Sequence, residues 1–141
     1  MAYKILIVDD SLPMRSVLKK TITASGFGEA EFFDAANGKE ALEIMGKEWL
    51  DIVVTDYNMP EMNGIELLQA IKNTEEIEAI PVLVITTEGS KLKIQEFLDL
   101  GAAGYIKKPF TPEEIKEKLT QILGEAENDS ELEESDNDLD F

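Results

Sequence analysis

The chain has 141 residues, of which 43% are hydrophobic, and this length suits one domain with a single hydrophobic core. It contains no cysteine and no histidine, which excludes a disulfide framework, a thiolate metal site, a cysteine nucleophile and a Ser-His-Asp triad. Its net charge of −17 argues against a nucleic-acid backbone or an anionic membrane surface as a binding partner.

Five short apolar runs, taken in chain order, predict strands. Runs rich in β-branched residues lie at 5–8, 52–54 and 82–85, and weaker candidates lie at 30–34 and 103–106. The strong runs do not alternate with polar residues, which is typical of strands covered on both faces.

A segment with helical periodicity follows each predicted strand, because its apolar residues recur at a spacing near 3.6. Pro13 lies in the first turn of the first segment, and TPEE at 111–114 opens the last one with a capping signature. The predicted apolar faces are, in chain order, Met14, Val17, Leu18 and Ile22; Ala41, Leu42 and Met45; Ile65, Leu68 and Ile71; Leu92, Ile94, Phe97 and Leu98; and Ile115, Leu119 and Ile122.

This alternation predicts one α/β domain over residues 1–123, a doubly wound parallel sheet with helices on both faces and Trp49 covering the edge of the core. Residues 124–141 hold nine of the 30 acidic residues and no basic residue. We interpret them as a solvating acidic tail, with docking of Leu139 and Phe141 on a groove as the alternative.

The N-terminus lacks the layout of a signal peptide and the apolar runs are too short to span a membrane, which predicts a cytoplasmic protein without membrane insertion.

Polar residues lie where the predicted strands end. Asp9 and Asp10 follow the first strand, Asp56 the third, two threonines (86–87) the fourth and two lysines (107–108) the fifth. Ligands of parallel sheets bind at the carboxyl ends of the strands, so we expect these side chains to crowd one rim. Three neighbouring carboxylates repel one another, and a hard divalent cation relieves this, which favours Mg²⁺, Mn²⁺ or Ca²⁺.

Such a rim suits a phosphoryl group, since the cations neutralise its charge and a hydroxyl can donate a hydrogen bond to it. A carboxylate can itself be the nucleophile and form an acyl phosphate. Asp56, at the mouth of a buried strand, would be held rigidly while it faces solvent.

Four segments in order resemble the receiver domain of two-component response regulators, and the single-domain chemotaxis regulators of CheY type in particular. They are LIVDDS with Met14-Arg15 soon after it, VVTDYNMPEMNG, VLVITTE and GAAGYIKKPF, and the resemblance covers about residues 3–123. It implies a flavodoxin-like, five-stranded sheet of order 2-1-3-4-5 with five helices, the order that CheY exemplifies.

The resemblance also implies roles for residues at the strand ends. Asp56 resembles the phospho-acceptor, and Asp9, Asp10 and the backbone carbonyl of Asn58 would join it in holding Mg²⁺ (or Mn²⁺). Asn58 and Glu88 lie at positions that tune the lifetime of the phosphorylated state in this family.

The switch residues of the family have counterparts as well. Thr86 matches the hydroxyl that moves to the phosphoryl group, Lys108 the invariant lysine, and Tyr105 the aromatic residue that moves inward on activation. Pro109 implies a cis peptide bond, and Gly64 lies where the loop needs a permissive backbone.

Some positions keep plainer interpretations. Thr87 replaces the small residue common in the family and could alter access to the site. Lys107, a second lysine beside the expected one, is read as a solvated surface side chain, and Tyr105 could serve packing alone.

These features predict a stand-alone regulator rather than an enzyme, monomeric, which takes a phosphoryl group from a histidine kinase and signals by binding a protein such as a flagellar motor switch or a phosphatase. No nucleic-acid partner is expected. The alternative with the same chemistry is a phosphorelay intermediate, which passes the group to a His-phosphotransfer protein.

Rivals from other classes have weaker support. A haloacid-dehalogenase-type phosphohydrolase needs an Asp two residues after its nucleophile, where this chain has Asn58. A pure interaction module would leave the strand-end residues unused. A nucleotide-binding fold would need a Gly-rich loop after the first strand, and none follows it in the sequence.

Overall fold

A sheet flanked by helices makes up the structure, a computed structural model that describes residues 2–87 and 90–124. Within these ranges, strands and helices alternate from the first element to the last. In chain order they are β1 (Lys4–Val8), α1 (Leu12–Ala24), β2 (Glu31–Ala35), α2 (Gly38–Met45), β3 (Ile52–Asp56), α3 (Gly64–Lys72), β4 (Val82–Thr86), α4 (Lys91–Asp99), β5 (Gly104–Lys107) and α5 (Pro112–Leu123).

The five strands form one parallel sheet of order β2-β1-β3-β4-β5. This confirms the predicted fold class and strand order, and the two weaker strand predictions are shifted by only one residue. The order reverses between β1 and β3, so the loops that follow these two strands diverge and leave a crevice at their carboxyl ends.

Apolar clusters cover both faces of the sheet, as expected for strands without alternation. On one face, strand residues pack against α1 through Leu18 and against α5 through Ile115. On the other face they pack against α2, α3 and α4 through Ala41, Leu68 and Phe97. The site at the end of the sheet therefore rests on a core that is closed on two sides.

Polar caps define where the helices begin. Ser11 caps α1 with its side chain, and α3 and α5 each begin with a capping box, formed by Asn63 with Glu66 and by Thr111 with Glu114. The box at α5 confirms the capping signature in the sequence. Ser11 also fixes the point at which the chain turns away from β1, directly beside the acidic pair.

Several apolar residues predicted to cover the core are instead exposed. Leu92 and Leu98 of α4 are 85% and 41% exposed, because α4 packs beside the edge strand β5 and buries only Phe97 fully. Val17 of α1 is also exposed. Trp49 is 75% exposed and lines a groove between α2 and the segment before β4, so its predicted role as a core cover is wrong.

The end of α5 sets the limit of the structural description. The helix ends at Leu123, and Gly124 follows with φ 104°. The predicted acidic tail after Gly124 lies outside the described residues. Glu88, in the loop between β4 and α4, lies outside them as well. Among the helices of the described ranges, none has both the length and the apolar character needed to cross a membrane.

Candidate functional site

Three carboxylates meet at the carboxyl edge of the sheet. Asp9, Asp10 and Asp56 each present an oxygen atom within 4.8 Å of the others. Asp9 and Asp56 are buried, with 2% and 8% of their surface exposed, whereas Asp10 is exposed. Asp9 and Asp10 differ in this way because Asp9 continues the line of β1, while Asp10 begins the turn into α1.

Lys108 supplies positive charge to this cluster. Its Nζ lies 3.2 Å from Oδ1 of Asp56 and 3.8 Å from Oδ2 of Asp9. Its backbone N–H donates to the carbonyl of Thr86, at 2.7 Å, and the peptide bond to Pro109 is cis. One ammonium group thus faces three carboxylates, and the pocket is negative overall.

The carboxyl group of Asp9 is held in an unfavourable environment. Burial raises its pKa, the N–H of Ser11 lowers it by donating to Oδ1 at 2.8 Å, and the charge of Asp56 raises it again. The net effect is a pKa above the ordinary value. Oδ2 of Asp9 is buried and accepts no hydrogen bond from the part of the chain that the structure describes.

These donors fit a hard divalent cation. A buried carboxylate oxygen without a hydrogen bond costs free energy, and coordination to a cation would satisfy it. The other oxygens that approach it are also carboxylates, the ligand type preferred by Mg²⁺, Mn²⁺ and Ca²⁺ over softer metals. The pocket is therefore compatible with metal binding.

The loop after β3 is fixed on both sides of Asp56. The N–H of Tyr57 donates to the carbonyl of Ile85 at 3.1 Å, and the N–H of Gly64 donates to the carbonyl of Tyr57 at 2.8 Å. A Cβ atom on Gly64 would lie 2.9 Å from the carbonyl oxygen of Asp56. Gly64 is outside the positive-φ region, so close approach of the backbone, rather than the predicted permissive backbone, requires glycine here.

Arg15 is a positioning residue that the sequence reasoning missed. Its Nη1 donates to the backbone carbonyl of Asp9 at 2.6 Å, and its Nε donates to Asp34 at 2.9 Å. Burial raises the pKa of Asp34, but hydrogen bonds from Lys19 and Arg15 outweigh burial and hold the pKa below its usual value. Arg15 lies one turn beyond the helix cap Ser11, and a base at that distance from an acidic pair is the signal that could have identified it.

The two tyrosines near the site contact different helices. The ring of Tyr57 lies 5.4 Å from that of Phe97 and 5.5 Å from Nζ of Lys93, so it connects the loop after Asp56 to α4. Tyr105 is half-buried on β5, with Nζ of Lys118 5.8 Å from its ring.

The remaining predicted residues lie around the pocket. Thr86 is fully buried at the end of β4, and Asn58 is exposed in the loop after β3. Lys107 is exposed at the end of β5, as expected for a surface lysine. Thr87 lines a shallow apolar groove with residues of α1 and with Phe110.

Without divalent cations, replacing Asp9 by Asn is expected to raise the free energy of unfolding at neutral pH. The raised pKa means that the contribution of Asp9 to stability is complete below the unfolded-state value of 3.8 and is lost as pH rises through the folded-state pKa. Asn stays neutral and can still accept from Ser11, so the stability difference should widen with pH. Urea unfolding in EDTA across the acidic to neutral range measures it.

Addition of Mg²⁺ provides the control for this substitution. The cation should stabilise the wild type and have little effect on Asp9→Asn, because a ligand stabilises only the form that binds it. A variant that is less stable than the wild type in EDTA at neutral pH would contradict the expected repulsion at Asp9.

Comparison with known proteins decides the family. The sequence model of the response regulator receiver domain matches residues 5–120. The chain belongs to this receiver family. The receiver is 42% identical over 122 residues to a chemotaxis protein CheY homolog of Campylobacter jejuni, covering 86% of this chain and 92% of the relative. It is 45% identical over 120 residues to chemotaxis protein CheY-3 of Vibrio cholerae, covering 85% and 91%.

Solved structures agree with this assignment. The receiver superposes on the chemotaxis response regulator CheY4 of Vibrio cholerae with a TM-score of 0.78 at 36% identity, which covers 87% of this chain and all of that one. The predicted family and fold are confirmed, and the protein is a CheY-type response regulator receiver.

Proposed function

We propose that Asp56 accepts a phosphoryl group from a phosphohistidine of a partner kinase, and that the modified receiver signals by binding another protein in chemotaxis. The main support for this proposal is the placement of Asp56. Its residue is 8% exposed, and its carboxylate lies beside an acidic pair and 3.2 Å from the ammonium group of Lys108. The names of the relatives, all chemotaxis proteins, support the pathway. The protein acts in this role as a cytoplasmic signalling partner rather than an enzyme.

The chain's own residues carry out the transfer. An oxygen of Asp56 forms a bond to phosphorus while the phosphorus–nitrogen bond of the phosphohistidine breaks, and the electron pair stays on the imidazole nitrogen. The loop hydrogen bonds of Tyr57 hold the carboxylate in place during the approach. Lys108 offsets the negative charge that gathers on the phosphoryl oxygens.

Asp9, Asp10, Asp56 and the backbone carbonyl of Asn58 would hold Mg²⁺, or Mn²⁺ in its place. When bound, the cation supplies further neutralisation of the phosphoryl oxygens and brings the carboxylates together without repulsion. The buried, unsatisfied Oδ2 of Asp9 supports this ligand set.

The position of Thr86 and Tyr105 on neighbouring strands supports a switch in which both residues take part. Thr86 ends β4, beside the acceptor, and Tyr105 lies on β5 in register with Val84. Movement of the Thr86 hydroxyl to the phosphoryl group would leave space that Tyr105 can enter, and this changes the surface formed by α4, β5 and α5. A kinase, a motor switch protein or a phosphatase are the partners that such a surface would serve, and Asn58 and Glu88 would set the lifetime of the signal.

Intact mass spectrometry after incubation with acetyl phosphate tests the proposal on the wild type. A gain of one phosphoryl group is expected with Mg²⁺ and not with EDTA. Rapid hydrolysis of the acyl phosphate could hide the gain, so binding of beryllofluoride, which mimics the phosphoryl group, is titrated in parallel. A gain that persists in EDTA, or the lack of both gain and beryllofluoride binding, would refute the proposed reaction.

A further inference from the structure

Positive charge is concentrated near the C-terminal end of the described chain. Residues 90–124 carry six lysines and five acidic residues, whereas residues 2–87 carry seven basic and fifteen acidic residues. One of these six lysines, Lys108, is paired with Asp56 and Asp9 in the pocket, so the other charges of the stretch that contains α4, β5 and α5 balance, whereas the whole chain carries a net charge of −17. Anionic groups would therefore be repelled less by this stretch than by the rest of the molecule, and its individual lysines can bind them.

Some of these lysines lie on the elements that border the edge of the sheet. Because β5 is an edge strand, α4, β5 and α5 border a common surface, which we call the β5-edge surface. Its polar members include Lys91, Lys107 and Lys118, none of which lies within ion-pairing distance of a carboxylate in residues 2–87 and 90–124. Lys107 and Lys118 line a cavity of about 210 Å³ together with Tyr105, and Glu114 and Glu117 lie on the same lining, so the attraction for carboxylates must come from the two ammonium groups themselves.

Apolar groups are exposed on the same side. Lys91, Ile94 and Leu98 are spaced three and four residues apart, so they share one face of α4. Leu98 is 41% exposed, and Ile94 and Tyr105 are half-buried. The β5-edge surface thus combines apolar side chains with lysines, and a complementary ligand would combine apolar side chains with carboxylates.

The segment that follows α5 has this composition. Residues 125–141 hold nine acidic residues, no basic residue, and the pair Leu139 and Phe141 separated by one aspartate. The segment starts after Gly124, about 9 Å along the helix axis from Lys118. Seventeen residues can span at most about 56–61 Å, so the length of this segment is enough to reach the β5-edge surface.

We propose that residues 125–141 dock on the β5-edge surface of the same molecule, with Leu139 and Phe141 against its apolar groups and the carboxylates against its lysines. The competing site is the groove at Trp49, which is apolar but carries one lysine, Lys47, against two acidic residues, Glu48 and Glu76, and is therefore less favourable for an acidic segment. Docking covers the surface that the proposed function assigns to partners, so the segment acts as an internal competitor; this consequence alone rests on the proposed function.

Paramagnetic relaxation measures the docking without any phosphorylation. The chain has no cysteine, so Ser135→Cys in the full chain gives a single site for a nitroxide label. We expect loss of amide signal in α4, β5 and α5, including Leu98, Tyr105 and Lys118, and retained signal around Trp49. High salt should restore the lost signals, because exposed charges are screened within a few ångströms.

Matched variants separate docking from chance proximity. Lys107→Gln with Lys118→Gln, and separately Leu139→Ser with Phe141→Ser, should restore the amide signals, whereas the control pair Lys39→Gln with Lys47→Gln should not. Signal loss centred on the Trp49 groove, loss that is unchanged in both test pairs, or absence of loss would each overturn the proposal. A second experiment mixes nitroxide-labelled chains without isotope enrichment with isotope-enriched chains without the nitroxide. Loss of amide signal in that mixture would show binding between copies of the chain and would overturn the proposal as well.

Discussion

Replacement of Asp56 by Asn is expected to abolish incorporation of a phosphoryl group from acetyl phosphate. The amide has nearly the same shape as the carboxylate but lacks the anionic oxygen that attacks phosphorus. The substitution also removes one of three neighbouring negative charges, so the pKa of Asp9 should fall and the free energy of unfolding in EDTA should rise. Intact mass spectrometry and urea unfolding measure the two effects.

A matched control for Asp56→Asn is Asp99→Asn. Asp99 is exposed on α4 and accepts a hydrogen bond only from Gln95 among the described residues. This control should incorporate the phosphoryl group as the wild type does. Incorporation that persists in Asp56→Asn would move the acceptor to another carboxylate, and Asp9 would be tested next.

Replacement of Lys108 by Met is expected to slow phosphoryl incorporation by about 10²–10³-fold, the usual cost of removing one preorganised group that stabilises developing charge. Met keeps an unbranched, apolar stem that is one heavy atom shorter than that of Lys, so the loss reports chiefly the ammonium group that lies 3.2 Å from Asp56. The same change removes the cation that competes for these carboxylates, so the affinity for Mg²⁺ should increase. A time course of incorporated mass at saturating Mg²⁺ gives the rate, and Mg²⁺ titration gives the affinity.

The neighbouring Lys107 provides the control for this charge effect. Lys107→Met removes an exposed ammonium group from the last residue of β5, directly before Lys108, and should leave the rate of phosphoryl incorporation unchanged. An equal slowing in both variants would show that the general charge of the rim, rather than the position of Lys108, governs the reaction.

Much of the candidate site could be predicted from local sequence. Asp56 ends an uninterrupted apolar run, and in the structure β3 is buried from end to end. Asp9 and Asp10 follow a run of the same kind. Because parallel strands carry their carboxyl ends to one edge, the meeting of these carboxylates follows from the order of strands and helices alone. The spacing of Arg15 from the acidic pair could have marked it as a candidate, but it could not show the contact with Asp34, because Asp34 comes from the next strand in the chain and the contact depends on how α1 crosses the sheet.

The apolar faces of the helices show a similar limit. Periodicity grouped Leu92 and Leu98 with Phe97, yet the structure buries only Phe97 among these three. A spacing near 3.6 identifies a helix and its apolar residues, but the fraction that is buried depends on how much of the sheet lies beneath the helix. At the edge strand β5 there is less sheet to cover, and the surplus apolar groups remain exposed.

The amino-acid sequence by itself determined the alternation of strands and helices, the parallel sheet, the absence of cysteine and histidine chemistry, and the oxygen-rich rim, since these depend on residue type and spacing. Only the tertiary structure decided that Asp9 is buried while Asp10 is exposed, that Lys108 reaches Asp56, and that Gly64 must lack a side chain. These outcomes depend on distances between segments far apart in the chain. Such distances follow from the packing of whole elements, which no local pattern specifies.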